Sequence, residues 1–231
     1  MSFSTPNTSH LSQPRFSSVY EPAEDSFLFL DALEKDWSTI TALRPALCLE
    51  MGCGSGIISA FVASNLAAPC HMLCADLNPS AVSATAVTFS TNPATSIHCS
   101  WDLMTGNLAS TLLPAAAGAV HLILFNPPYV VTSSVELDEG DLSSKAWAGG
   151  HRGREVTDRF FVQAQELLAP DGLLYCVLLQ ENNLEEVRAM MGNYGLSMDL
   201  IMSRRCRNEH LHVVCFRRKT IRLFTHNNLV D

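Results

Sequence analysis

Between residues 46 and 194 the chain repeats one pattern: a short apolar run, a turn, then a segment with helical spacing. The apolar runs fall at 46–51, 71–76, 96–101, 120–125 and 172–179, and the helical segments at 57–66, 79–91, 155–168 and 184–194. A further helix is expected over 23–37, where Pro22 and the acids Glu24 and Asp25 precede Phe27, Leu28, Leu30, Leu33 and Trp37. Strands that alternate with helices build a mostly parallel sheet covered on both faces. The segments 196–204 and 210–218 read as an antiparallel pair that closes it. Such sheets bind ligands at the carboxyl ends of their strands, near the point where strand order reverses. The residues directly after each apolar run are therefore the ones to question.

A chain of 231 residues suits one domain with a sizeable core. The reading is a flexible tail over 1–17, one domain over 18–218 and an extension over 219–231. A formal charge of −8 and a pI near 5.4 argue against a surface built to grip nucleic acid. Arg204, Arg205, Arg207, Arg217, Arg218 and Lys219 form the one basic cluster, read as a solvated strand-end face. Residues 1–19 lack the apolar core of a signal peptide, and no apolar run is long enough to span a bilayer. The eight cysteines include no C-x-x-C pair and sit mostly in apolar runs, so they are expected as core thiols in a reducing compartment, with no metal site. The expected location is the cytoplasm, with the nucleus open.

The first apolar run ends in Glu50-Met51-Gly52-Cys53-Gly54-Ser55-Gly56. Glycines here permit a tight turn and let a ligand lie against bare backbone. A dinucleotide fingerprint would need glycine at position 57, which is Ile. The spacing favours S-adenosylmethionine over a nicotinamide cofactor, while a turn without ligand stays open. Asp76 ends the second run, 24 residues after Gly52, where a carboxylate can take the ribose hydroxyls or start the next helix, with Asn78 as its N-cap. Asp102 with the Leu103 backbone, after the third run, is a weaker candidate for the adenine amino group; an isolated turn aspartate is the plainer reading.

The fourth run leads straight into Asn126-Pro127-Pro128-Tyr129. Two prolines fix the backbone and remove two donors, leaving bare carbonyls. Asn-Pro and Pro-Pro are also ordinary turn signals. At the carboxyl end of an all-apolar central strand, however, the loop can do chemistry. The Asn126 side-chain oxygen and the Pro127 carbonyl can accept both N–H groups of a planar amide or exocyclic amine, while Tyr129 stacks on its plane. No base is evident, so orientation, desolvation and polarisation of the nitrogen would carry the transfer of a methyl group to it.

Over residues 19–218 the sequence resembles the eukaryotic and archaeal branch of the HemK-type protein glutamine N5-methyltransferases. The resemblance rests on Tyr20-Glu21-Pro22-Ala23-Glu24-Asp25-Ser26, the glycine turn from Cys48 to Gly56, Asp76-Leu77-Asn78-Pro79, Phe125-Asn126-Pro127-Pro128-Tyr129-Val130, and Ala146-Trp147-Ala148-Gly149-Gly150 with Gly153-Arg154-Glu155. The Asn-Pro-Pro-Tyr piece is shared with adenine-N6 methyltransferases; the first and last pieces are more specific. The resemblance implies a Rossmann-like class I methyltransferase, with a seven-stranded mostly parallel sheet, an antiparallel closing hairpin and helices on both faces. It implies that Tyr20, Ser26, Glu50, Gly52, Gly54, Asp76, Asp102, Leu103 and Asn126 contact S-adenosylmethionine. Asn126, Pro127 and Tyr129 would hold the substrate, with Pro128 completing the catalytic motif. The implied substrate is the glutamine of the Gly-Gly-Gln motif in the class 1 translation termination (release) factor.

The resemblance also implies a heterodimer with a small zinc-binding methyltransferase activator protein. The run at 96–101 would be an edge strand in the usual order, and its alternating Ile97, Cys99 and Trp101 offer a partner an apolar edge, unless the chain's own loops cover it. Three rival readings remain: an adenine-N6 DNA methyltransferase, a histone lysine methyltransferase using the same pocket, and a non-catalytic binding subunit. The first needs a phosphate-binding face that a chain of charge −8 does not advertise. The second needs a deprotonated, non-planar amine that the loop suits poorly.

Overall fold

In the computed structural model, which describes residues 3–92 and 99–219, seven strands form one sheet in the order β3-β2-β1-β4-β5-β7-β6. The strands are β1 (Leu47–Met51), β2 (Cys70–Asp76), β3 (Cys99–Thr105), β4 (Val120–Phe125), β5 (Leu168–Leu179), β6 (Leu196–Cys206) and β7 (Glu209–Arg218). Neighbours among β1 to β5 run parallel, and β7 lies antiparallel to both β5 and β6. The expected parallel sheet with a closing hairpin is what forms.

Alternation along each strand sends its side chains to two cores. Cys48, Leu122 and Leu124 pack with α1 (Glu24–Lys35), α2 (Trp37–Leu43) and α3 (Ile57–Asn65). Leu49, Ile123 and Phe125 pack on the other face with α6 (Glu155–Leu167) and α7 (Leu184–Asn193). Because β1 and β4 are covered on both sides, nearly every residue in them is apolar, which is why periodicity found them. Strand order reverses between β1 and β4, and their register places Glu50 beside Leu124 and Met51 beside Phe125. The glycine turn and the Asn126 loop therefore leave the sheet side by side.

Three expectations are corrected here. The tail over 1–17 is built into the fold from residue 3 onward: Leu11, Phe16 and Val19 pack on Ala81 and Ala84 of α4 (Pro79–Thr91), and Phe3 lies 5.4 Å from the Trp37 ring. His10 Nε2 meets the Ala84 carbonyl at 3.1 Å. Its Ser- and Pro-rich composition reads as loop because the segment makes its contacts through short 3-10 turns, which leave no periodicity. The helix expected over 23–37 divides at Asp36, whose carboxylate accepts from Thr39 Oγ1 and Tyr175 Oη. The third strand extends to Thr105, not 101, since an edge strand tolerates the exposed Asp102 that resembled a turn. The part of that expectation at 96–98, and the extension beyond Lys219, lie outside the described residues.

The connection expected over 127–153 carries a short helix, α5 (Ser134–Glu139). Within it Val130 bridges Ala148, with the Val130 N–H donating to the Trp147 carbonyl and the Gly149 N–H to the Val130 carbonyl. The basic cluster does not act as one face. Arg204 and Arg217 pair with Asp31 and Asp199, and Arg218 donates to the Gln165 and Leu168 carbonyls.

Candidate active site

One cleft opens at the carboxyl ends of β1, β2 and β4. It is lined by Tyr20, Asp25, Ser26, Glu50, Gly52, Gly54, Asp76, Asn126, Pro127, Pro128 and Tyr129, with α5 and Trp147 on its outer side. Ten of these eleven were singled out for the site from the sequence; Asp25 was not.

The glycine turn follows from β1 ending at Met51. Gly54 adopts φ +50° and points its N–H at Asp76 Oδ2, 2.9 Å away, so β2 holds the turn that ends β1. Gly56 adopts φ +76°, and a Cβ there would stand 2.9 Å from the Thr85 Cα; α3 and α4 meet too closely for any side chain. The other Asp76 oxygen accepts the Asn78 N–H at 2.8 Å. Asn78 caps α4 as expected, accepting from Ser80 N at 2.9 Å, and donates to the Ser18 carbonyl at 3.0 Å. The N-terminal segment is thereby tied to the cleft wall.

Glu50 is 2% exposed beneath the turn, where its Oε2 accepts both the N–H and the hydroxyl of Ser59. Burial pushes its pKa up to about 8, against the lowering effect of Ser59. Burial also raises the Asp76 carboxyl.

Asn126 is held by a residue from far along the chain. Its Nδ2 donates to Asp25 Oδ2 at 2.8 Å, and Asp25 Oδ1 accepts from Tyr20 Oη at 3.2 Å and from the Ser26 N–H at 2.8 Å. A carboxylate can only accept, so this bond sets which way the Asn126 amide faces. Its Oδ1 is left buried with no partner. Buried acceptors without partners are rare, and this one lines the cleft, where an N–H of a bound molecule would satisfy it. Tyr129 is fixed at its backbone: its carbonyl accepts from Asn182 Nδ2 at 3.0 Å, and Asn182, fully buried, also holds the Arg152 carbonyl. Gly153 lies so close that a Cβ would clash with the Tyr129 carbonyl. Burial and the Asp25 charge raise the Tyr129 phenol, so it stays neutral.

Asp102 and Leu103 are not brought to the cleft. Asp102 stands mid-strand in β3 opposite Leu73, its side chain 77% exposed and 3.3 Å from His71 Nε2. The strand-end position belongs instead to Gly106, Asn107 and Leu108. Asp25 and Asn182 went unassigned because their roles depend on partners 101 and 53 residues away. Asp25 did leave a trace, inside the motif Tyr20 to Ser26.

The residues present fit an adenosyl sulfonium ligand. Asp25, Glu50, Asp76 and Asp138 put four acids around one cleft against two cations, Lys145 and Arg159, and the glycine turn gives backbone room. Among the described residues no group of three or more His, Cys, Asp or Glu is placed to hold a metal ion.

A doubly wound sheet with a glycine turn after β1, an acid after β2 and Asn-Pro-Pro-Tyr after β4 is the architecture of a Rossmann-like methyltransferase. Comparison with known proteins agrees. The Methyltransferase small domain family matches residues 21–140. Methyltransferase HEMK2 of Homo sapiens is 42% identical over 214 residues, covering 93% of this chain and 96% of that protein. The eRF1 methyltransferase catalytic subunit mtq2 of Schizosaccharomyces pombe is 32% identical over 217 residues, covering 91% and 94%. In fold, the E. cuniculi Mtq2-Trm112 complex, solved as the one responsible for methylating the eRF1 translation termination factor, superposes with a TM-score of 0.64 at 24% identity, over 87% of this chain and 99% of that one. The chain therefore belongs to the Methyltransferase small domain family and, within it, to the HemK-type methyltransferases represented by HEMK2.

Proposed function

We propose that this protein methylates the side-chain amide nitrogen of the glutamine in the Gly-Gly-Gln motif of the class 1 release factor. The observation that carries it is the Asn126 amide, locked by Asp25 so that a bare, buried acceptor faces the cleft. An amide –NH2 satisfies that acceptor with one N–H, and the Pro127 carbonyl takes the other. Holding both hydrogens in plane aims the nitrogen lone pair out of plane, towards the glycine turn, while the Tyr129 ring covers the amide. S-adenosylmethionine, when bound, supplies an electrophilic methyl group. Glu50, Asp76 and the Gly52–Gly54 backbone would hold it from the β1 and β2 side, with Tyr20 and Ser26 completing the wall of the cleft. Hydrogen bonds accepted by Asn126 and Pro127 pull electron density onto the nitrogen as it is alkylated, and the methylated amide then gives one proton to water.

The relatives named for eRF1 methylation support this substrate, and the Mtq2-Trm112 complex supports a small activator partner. β3 is an edge strand as expected, with Trp101 stacked on Phe89 at 5.1 Å and 37% exposed, and it is our choice for the surface the activator covers. The buried free thiols suit a reducing compartment, cytoplasm or nucleus.

The test offers release factor and adenine-containing duplex DNA side by side to the protein co-expressed with its activator, with labelled product mapped by mass spectrometry. Methyl on the glutamine, absent with Asn126→Ala, is the expected result. Label on adenine alone would overturn the substrate and keep the loop chemistry.

A further inference from the structure

Tyr20, Asp25 and Tyr129 line the cleft and also wall a second cavity that adjoins it. The rest of that cavity is made by Glu24 at the start of α1 and by residues 204–207 and Glu209 of the β6–β7 hairpin. The hairpin is fastened to α1: Arg204 pairs with Asp31, Lys35 Nζ donates to the Ile201 carbonyl at 2.7 Å, and the Cys206 thiol lies 3.7 Å from Glu24 Oε2. This leaves Arg205 and Arg207 exposed, their side chains without a hydrogen bond or ion pair to the described residues. Glu209 stands among acids, and burial together with Asp25 and Glu181 raises its carboxyl.

The walls therefore combine arginines from the hairpin with the carboxylates Glu24, Asp25 and Glu209 and the two tyrosines, and Ala23 is the only aliphatic residue among them. A phosphate would meet Glu24, Asp25 and Glu209. A polypeptide main chain carries one donor and one acceptor at each residue, which is the pattern the walls complement.

We propose that this cavity holds the extended, side-chain-poor main chain that flanks the methylated glutamine, with Glu24 and Glu209 accepting its N–H groups and Arg205 and Arg207 donating to its carbonyls. The inference rests on the protein-glutamine reading above and adds which part of the substrate is read besides the amide. It also explains how the substrate reaches Asn126: the two cavities meet at Asp25 and Tyr129, the residues that flank the acceptor.

The experiment compares the co-expressed complex with its Arg205→Ala/Arg207→Ala form, using release factor as substrate. Both side chains are exposed and bond to none of the described residues, so the melting temperature and the dissociation constant for S-adenosylmethionine should not move. KM for release factor should rise about ten-fold or more, as for loss of charge-assisted hydrogen bonds, with kcat little changed. An unchanged KM in a complex that still labels release factor overturns the subsite and leaves the glutamine reading standing. A fall confined to kcat overturns it in the same way. A wild-type complex that puts no methyl on release factor overturns both.

Discussion

Two turns leave the sheet next to each other, one after β1 and one after β4, and they are chemical opposites. The first is built of glycines whose N–H groups are taken up within the fold, Gly52 and Cys53 by the Ala75 carbonyl and Gly54 by Asp76, so it offers bare backbone room between acids; the second is built of prolines and presents carbonyls and the Asn126 oxygen. Their support differs as well. The glycine turn is held by a neighbour, Asp76 at the end of the adjoining strand. The proline loop is held from afar, by Asp25 on α1 and Asn182 after β5. A ligand laid on bare backbone between acids and a substrate gripped by the acceptors of the second loop can thus be positioned independently, and one reaction needs both.

The sharpest way to break this contrast is Asn126→Ala. It removes the free acceptor and leaves the glycine turn intact. Turnover on release factor should fall by about 10²–10³, as for loss of one preorganised transition-state hydrogen bond, while S-adenosylmethionine binding by calorimetry changes little. A turnover within a few-fold of wild type would remove the loop from the mechanism.

Asn182→Ala tests the remote support directly. It strips the buried Tyr129 carbonyl and the part-buried Arg152 carbonyl of their donor, and should cost about 2–3 kcal/mol of stability in chemical denaturation, with turnover reduced by loosening of the loop. A variant as stable as wild type would mean the loop holds itself. Asp25→Asn is milder. An amide at position 25 can donate as well as accept, so Asn126 is no longer confined to one orientation, and kcat should drop about ten-fold without loss of the fold.

The smallest effect concerns the glycine-turn side and is read through pH. Glu50 keeps its proton in the fold up to about pH 8, whereas in the unfolded chain it loses it near 4.5. The folded state binds more protons between these values, so stability falls as pH rises through that window and levels above it. Glu50→Gln should flatten that part of the curve in urea melts from pH 5 to 9. Because a cationic ligand prefers the carboxylate, S-adenosylmethionine affinity should also tighten as pH approaches 8, by at most about ten-fold per unit. An equal pH dependence in Glu50→Gln would show that another group titrates.

What could be read from the chain followed from local rules. Parallel strands covered on both faces must be apolar throughout, so β1, β2, β4 and β5 stand out, and the residues after them mark the cleft. Glycine and proline advertise backbone geometry by their own chemistry, which is why Gly52, Gly54, Asn126 and Tyr129 were identifiable one by one. The misplaced Asp102 shows the limit of the same rule. An edge strand has one solvated side, its polar residues look like a turn, and the strand end was set four residues too early.

Sequence alone determined the sheet, the two turns and the class of chemistry, because each is encoded in residues close together or in the spacing of apolar ones. Tertiary structure alone decided which way Asn126 faces, what holds Tyr129, where residues 3–19 lie, and that the β6–β7 hairpin adjoins the catalytic loop. Those features are contacts between segments 50 to 180 residues apart, such as Asp25 with Asn126 and Glu24 with Cys206. A hydrogen bond across such a distance leaves no period or spacing in the chain, and exists only once the sheet has brought its two ends together.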